Sequence, residues 1–113
     1  MKTFVMMTKM SARNAHIVEV SAKLQNRARD NEAWLKQVKD KCPEVKFVSH
    51  YAILGYWDFM DIYEAPDEEA AAKMSLISRA FGAHEVENWC AIPSDRLQRL
   101  ARELKDLERE LGA

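Results

Sequence analysis

Prolines and glycines divide this chain into segments, and their positions limit what it can fold into. The sequence has three of each, which are Pro43, Pro66, Pro93, Gly55, Gly82 and Gly112. A proline cannot continue a helix or a strand ladder, and a glycine favours turns and helix ends. The segments between these residues have the lengths of single strands and helices, so we expect regular elements joined at these points.

Four segments have the composition of β-strands. The first is TFVMMTK, residues 3–9, an apolar run bounded by polar residues. Residues 45–54 and 58–65 flank the short connection formed by Gly55, Tyr56 and Trp57, which predicts a hairpin. Residues 83–92 form the fourth strand, which Pro93 ends.

Two helices are predicted between these strands. Residues 24–41 carry apolar side chains at helical spacing, whereas residues 11–23 favour neither a helix nor a strand. A second helix is expected from the N-cap Asp67 to Gly82. The order strand, helix, strand, strand, helix, strand predicts an antiparallel four-stranded α+β sheet with both helices on one face. The other face carries apolar residues and is expected to be buried against a second copy.

Composition excludes several classes of function. The 113 residues suit one domain, and a net charge of −1 argues against a nucleic-acid partner. No apolar run is long enough to span a membrane, and the apolar part of MKTFVMMTK is too short for a secretory signal, so a cytoplasmic protein is expected. Cys42 and Cys90 have no metal-ligand spacing, so we expect buried free thiols and no metal site.

The segment SHYAILGYWDFMDIYEAPD, together with the later CAIP, resembles the GYD-domain family. The residues that carry the resemblance are Tyr51, Leu54, Gly55, Asp58, Phe59, Glu64, Ala65, Pro66, Asp67, Ala91, Ile92 and Pro93. The resemblance implies a ferredoxin-like fold that pairs as a dimeric α+β barrel. Trp57 stands where the family usually has tyrosine, and residues 11–23 make an unusually long connection. Because the family has no settled activity, the resemblance implies a fold and a dimer rather than a reaction.

The aromatic residues beside the hairpin suggest a ligand site. If Leu54 pairs with Asp58, then Tyr51, Asp61 and Tyr63 share the uncovered face, because side chains alternate along a strand. A slip of one residue would invert this assignment. The expected ligand-binding residues, lining or rimming a cavity between two sheets, are Tyr51, Tyr63, Trp89, Glu87 and Trp57.

Asp61 is the candidate catalytic residue. Burial beside a tyrosine raises the pKa of a carboxyl group unless hydrogen bonds or a cation support its charged form, and such a group can act as a general base. The alternative is that Asp61 only fixes the dimer through hydrogen bonds. Asp58 is expected to accept backbone N–H groups near the turn. No cofactor is predicted; His50 is expected to face the helices, and haem ligated by it is a secondary hypothesis.

The final segment, residues 94–113, is predicted to be an amphipathic helix with Ser94 as its N-cap. Its leucines are spaced alternately by three and four residues, as in a coiled-coil seam; they are Leu97, Leu100, Leu104, Leu107 and Leu111. So short a seam needs a partner, and a second copy, the chain's own domain and a different protein all remain open.

These observations predict a ferredoxin-like domain over residues 1–93 and an oligomerisation helix over 94–113. The favoured function is a homo-oligomeric module that binds a small molecule between paired sheets. One alternative is a cofactor-independent oxygenase, isomerase or lyase that uses Asp61 as its base. The other is an accessory subunit that binds a larger enzyme through its C-terminal helix.

Overall fold

The computed structural model describes residues 1–10 and 32–112. The strands are β1 (Lys2–Met10), β2 (Lys46–Ala52), β3 (Phe59–Ala65) and β4 (Ala83–Ala91). The helices are α1 (its described residues, 32–41), α2 (Glu68–Ala80), α3 (Ser94–Glu103) and α4 (Leu107–Glu110). The open question about residues 11–23 lies outside the described residues.

The strands form one sheet in the order β2-β3-β1-β4, and every neighbouring pair is antiparallel. This order, with a helix after β1 and another after β3, is the ferredoxin-like α+β fold. The predicted fold class is therefore confirmed. No helix in residues 1–10 and 32–112 is long and apolar enough to cross a membrane.

The core lies between one face of the sheet and the helices α1 and α2. The buried residues that form it are Phe4, Met6, Trp34, Val38, Cys42, Tyr63, Ala65, Ala70, Ala71, Met74 and Val86. The two helices are joined where Trp34 Nε1 donates to Ser78 Oγ at 3.0 Å. We call this covered side of the sheet the helix face.

Helix α2 begins and ends where the sequence predicts. Asp67 has extended backbone geometry, and its Oδ1 accepts a hydrogen bond from the Ala70 N–H at 3.0 Å. After the helix, Gly82 has φ 96°, a left-handed conformation that residues with a side chain rarely adopt. Its N–H donates to the Arg79 carbonyl at 3.1 Å, which satisfies one of the last helical acceptors.

The predicted hairpin is present, but the predicted register is wrong by one residue. His50 pairs with Asp61, and Tyr51 pairs with Met60, so Tyr51 does not lie opposite Asp61. The connection is longer than Gly55 to Trp57, because β2 ends at Ala52 and β3 starts at Phe59. A further irregularity lies between Phe47 and Ser49.

This register inverts the predicted faces of β3. Asp61 and Tyr63 lie on the helix face beside Met6 and Phe4 of β1, whereas Met60 and Ile62 lie on the opposite face. The prediction that Asp61 and Tyr63 share the uncovered face with Tyr51 is therefore wrong. A shift of one residue moves every side chain of a strand to the other side of the sheet.

The predicted faces of β4 agree with the structure. Val86 is buried in the core, and Glu87 and Trp89 pair with Met7 and Val5 on the face away from the helices. The cysteines are both free, but Cys90 is exposed, contrary to the expectation that both are buried. Cys90 lies near the end of β4, at an edge of the described sheet, where little covers it.

The C-terminal helix is present but interrupted. Ser94 is the first residue of α3 rather than its N-cap; Pro93 occupies that position, without a side-chain hydrogen bond. Helix α3 stops before Leu104, and α4 resumes at Leu107. Neither helix has a buried residue, and α3 and α4 pack on none of the four strands or α2.

Candidate functional site

A histidine–carboxylate pair spans the neighbouring strands β2 and β3. Nδ1 of His50 lies 2.5 Å from Oδ1 of Asp61, because the two residues are directly paired in the register. The Asp61 side chain is only 3% exposed, whereas the His50 side chain is 41% exposed. A buried carboxylate therefore holds one nitrogen of a ring whose other side reaches the surface.

An aromatic side chain packs against the histidine ring. The Phe59 ring stacks on it, with centroids 5.4 Å apart and an angle of 21° between the ring planes. Phe59 is paired with Ala52 of β2 and with Thr8 of β1, so these residues lie beside it on the helix face. Thr8 is buried, and Ala52 is exposed. The ring is thus fixed on two sides, by stacking and by its hydrogen bond.

Burial raises the pKa of the Asp61 carboxyl, and the hydrogen bond and charge of His50 partly oppose this shift. A carboxylate that accepts the Nδ1–H of a histidine fixes the tautomer in which Nε2 has a free lone pair. Such a ring can accept a proton at Nε2 or bind a metal there. In residues 1–10 and 32–112, no three His, Cys, Asp or Glu side chains cluster as metal ligands.

Tyr63 does not belong to this accessible site. It is fully buried, and its hydroxyl donates to Asn88 Oδ1 at 2.5 Å beneath α2. Burial raises the pKa of this hydroxyl, which therefore stays a hydrogen-bond donor. The predicted role of Tyr63 in lining a cavity between two sheets is incompatible with this position.

The opposite side of the sheet carries three more of the predicted ligand residues, which are Tyr51, Glu87 and Trp89. Two rows of paired side chains cross this side of the sheet, which we call the open face. One row contains Tyr51, Met60, Met7 and Glu87, and the next contains Ser49, Ile62, Val5 and Trp89. Tyr51 is 52% exposed and Trp89 is 47% exposed. Three strand spacings, about 14 Å, separate these two aromatics, with aliphatic and methionine side chains between them.

Polar groups lie along the β4 side of the open face. Trp89 Nε1 donates to Glu87 Oε2 at 2.8 Å. Farther along β4, Glu85 Oε1 accepts the Tyr56 hydroxyl at 2.6 Å, and the Lys9 ammonium lies 5.0 Å from the centre of the Tyr56 ring. The hairpin connection therefore folds towards β1 and β4.

Trp57 and Asp58 lie in this connection. The Trp57 ring packs edge-on against Tyr56, with centroids 5.3 Å apart. Asp58 Oδ2 accepts the Met10 N–H at 2.7 Å, so the prediction that Asp58 accepts backbone N–H groups is confirmed. Asp58 thereby ties the end of β1 to the start of β3.

The structure thus brings some predicted site residues together and separates others. Tyr51, Glu87 and Trp89 share the open face, whereas Asp61 lies on the other side of the sheet with His50. His50 was expected on the helix face, and it is there. The pair of His50 with Asp61 was missed, because it depends on the register; its only signal in the sequence was a histidine on one predicted strand of the hairpin and an aspartate on the other.

Comparisons with known proteins place the chain in a family without assigning a role. No curated protein is similar enough to count as a match. Among solved structures, the crystal structure of FFRP-DM1 is similar, with 19% identity and a TM-score of 0.46. The similarity covers 81% of this chain and 100% of that one. The profile of the GYD domain matches residues 4–101. The chain is a member of the GYD domain family.

Proposed function

We propose that this protein is a homo-oligomeric module in which the open faces of two copies pack together and hold a small, mostly apolar molecule between them. The observation that carries the proposal is the open face itself. Its centre is apolar, with Val5, Met60 and Ile62 partly exposed beside the buried Met7, and its two sides carry the exposed rings of Tyr51 and Trp89. Exposed apolar surface of this kind marks an interaction site.

A second copy suits the charges around this apolar centre. Lys46 is paired with Glu64 at one end of the open face, and Lys9 is paired with Glu85 at the other. Positive and negative charges therefore occur at both ends of the open face. Such a surface has no strong electrostatic field of one sign that would attract a highly charged partner such as nucleic acid. In a two-fold pair, each lysine can meet a glutamate of the other copy.

The ligand in this proposal is apolar and carries a hydrogen-bond donor. Tyr51 and Trp89 supply aromatic surface, and Glu87 is the acidic group beside Trp89. Tyr63 and Asp61 lie on the helix face and take no part in this site. A site between two sheets is formed only in the dimer, so ligand binding and pairing support each other.

Residues 94–113 are assigned to assembly. All five predicted leucines are exposed, with Leu104 at 60% and Leu111 at 74%. We propose that the tail of a second copy, which has the same leucine spacing and balanced charges, packs against these leucines. An accessory role towards a larger enzyme is the second candidate, and the exposed leucines are the observation that favours it.

Native mass spectrometry of freshly purified protein tests the proposal, because it reports subunit count and retained small molecules together. The wild type is expected to give a multiple of the 13.1 kDa chain, with extra mass that organic solvent releases. Trp89→Glu is expected to abolish both. Leu76→Glu is the matched control, because Leu76 is 67% exposed on α2, away from the open face. A wild type that is monomeric and carries no extra mass contradicts the proposal.

The tail is tested separately with Leu100→Gln and Leu107→Gln combined in the full chain. Self-association through the tail predicts a weaker assembly at low concentration. An unchanged assembly, together with loss of a larger protein from a pull-down with purified candidate enzymes, supports the accessory role instead.

A further inference from the structure

We propose that His50 and Asp61 form a proton-transfer site for a small, mostly apolar acid such as a phenol or an enolisable carbonyl compound. His50 accepts the proton at Nε2, and Asp61 is the positioning residue that holds the ring through Nδ1. This site lies on the helix face and does not depend on pairing of the open faces.

The first argument is geometric. The Nδ1 to Oδ1 distance is 2.5 Å, and the acceptor is buried while the ring is partly exposed. Nε2 lies across the ring from Nδ1, on the side away from the buried Asp61. Stacking on Phe59 fixes the plane of the ring as well. A base held in one tautomer and one orientation is what proton transfer requires.

The second argument is access. His50 lies on β2, which is at one edge of the described sheet. Its neighbour Ala52, on the same face, is exposed and has only a methyl side chain. A small molecule can therefore approach the ring from the edge of the sheet and contact both the imidazole and the apolar surface beside it.

The third argument concerns the class of ligand. On the helix face, the described residues of β1, β2 and β3 include one cation besides the histidine, which is Lys2. Lys2 lies six residues from Thr8, about 20 Å along the strand, and it is ion-paired with Glu68. No lysine or arginine on the helix face of these strands is thus near His50 to hold a phosphate or another polyanion. A neutral acid with an apolar body fits these surroundings.

The proton balance of the step is simple. The O–H bond of the phenol, or the C–H bond next to the carbonyl, breaks, and its electron pair stays on the oxygen or forms the enolate. The proton moves to Nε2 of His50. The resulting imidazolium is paired through its Nδ1–H with the carboxylate of Asp61, and the reverse transfer restores the resting state.

Nuclear magnetic resonance of the imidazole nitrogens tests the positioning role. In the wild type, Nδ1 of His50 is expected to carry the proton and Nε2 to be unprotonated when the ring is neutral. Asp61→Asn is expected to give a mixture of both tautomers. His84 of β4 is the internal control, and its signals are expected to be unchanged. A wild-type His50 that already samples both tautomers would overturn the assignment.

The proton transfer itself is tested with 4-nitrophenol, because its phenolate absorbs visible light. Binding to the wild type is expected to produce the phenolate band and to move the His50 resonances to their protonated positions. The band is expected to be lost in His50→Gln, weakened in Asp61→Asn and retained in His84→Gln. Inorganic phosphate is expected not to compete.

Several results would overturn the proposal. One is a phenolate band that persists in His50→Gln; another is 4-nitrophenol binding that leaves the His50 resonances of the wild type unmoved. The second result needs no variant, so it decides the matter even if His50→Gln does not fold. A haem absorption band that depends on His50 would assign the ring to metal ligation instead. Because Trp89→Glu leaves the helix face untouched, loss of pairing in that variant does not bear on this test.

Discussion

The hydroxyl of Tyr63, on β3, donates to Oδ1 of Asn88, on β4, at 2.5 Å beneath α2. The Asn88 amide in turn donates to Ser75 Oγ at 2.5 Å and to the Ala71 carbonyl at 3.3 Å. This network explains how a polar residue is accommodated on the helix face of β4. It also fixes Tyr63 beneath α2 and away from any site on the open face.

Removal of the Tyr63 hydroxyl is expected to destabilise the fold. In Tyr63→Phe, Asn88 Oδ1 loses its donor while it remains covered, and this costs about 1–3 kcal/mol. Tyr51→Phe is the matched control, because Tyr51 is half exposed on the open face. Urea unfolding of both variants checks this, and equal stability of the two would contradict the network's role.

The two predicted N-caps are expected to differ in their effect on stability. Asp67→Ala removes the hydrogen bond to the Ala70 N–H and should lower the free energy of unfolding by about 1 kcal/mol. Ser94→Ala should have little effect, because Ser94 is the first helical residue of α3 and the N-cap position is occupied by Pro93. Thermal unfolding compares the two. A larger loss for Ser94→Ala would show that the capping assignment is wrong.

Substitution by alanine is expected to affect stability differently at Gly82 and at Gly55. Gly82 has φ 96°, so Gly82→Ala forces a left-handed conformation at a cost of about 1–2 kcal/mol. At Gly55, an added Cβ meets only Ile53 Cγ2, at 3.9 Å, and φ is not left-handed. Gly55→Ala is therefore expected to be tolerated. Denaturant unfolding that gives Gly55→Ala the greater loss would contradict this comparison.

Asp61 is expected to make stability depend on pH. Burial raises the pKa of its carboxyl in the folded state above the ordinary value of 3.8, and His50 opposes this only in part. The folded state therefore favours the protonated form of Asp61 more than the unfolded state does. The contribution of Asp61 to the free energy of unfolding is complete below pH 3.8 and is lost as the pH rises through the raised pKa.

Comparison with Asp61→Asn isolates this effect, because asparagine does not titrate. The free energy of unfolding of the wild type, minus that of Asp61→Asn, should fall as the pH rises above 3.8. His50→Gln removes both influences that lower the pKa of Asp61, so it should extend the fall to higher pH. Urea unfolding across this pH range provides the measurement, and a difference that rises with pH would refute the assignment.

The fold was predictable from the sequence because local signals agreed with it. Pro66, Asp67 and Gly82 mark the ends of one helix and its neighbouring strand, and the alternation of Val86 with Glu87 and Trp89 identifies both faces of β4. These signals depend on neighbouring residues alone. These signals can therefore be interpreted without knowing which strands pair.

The site was less predictable because it depends on pairing. Gly55 indicates a turn but not its length, and the two strands end at Ala52 and Phe59 rather than beside Gly55. The difference of one residue exchanges Tyr51 for His50 as the partner of Asp61. The tail shows a similar limit, since the leucine spacing predicts a continuous seam but does not reveal the interruption after Glu103.

Pairing of open faces is the central claim, and isotope-filtered nuclear Overhauser spectra of a mixed sample test it most directly. Half of the chains carry carbon-13 and half do not, so only contacts between copies are detected. We expect contacts from the Tyr51 and Trp89 rings to the Met60 and Ile62 methyl groups of the other copy. An assembled sample with contacts between copies only at residues 94–112, or a sample with none, would contradict the claim.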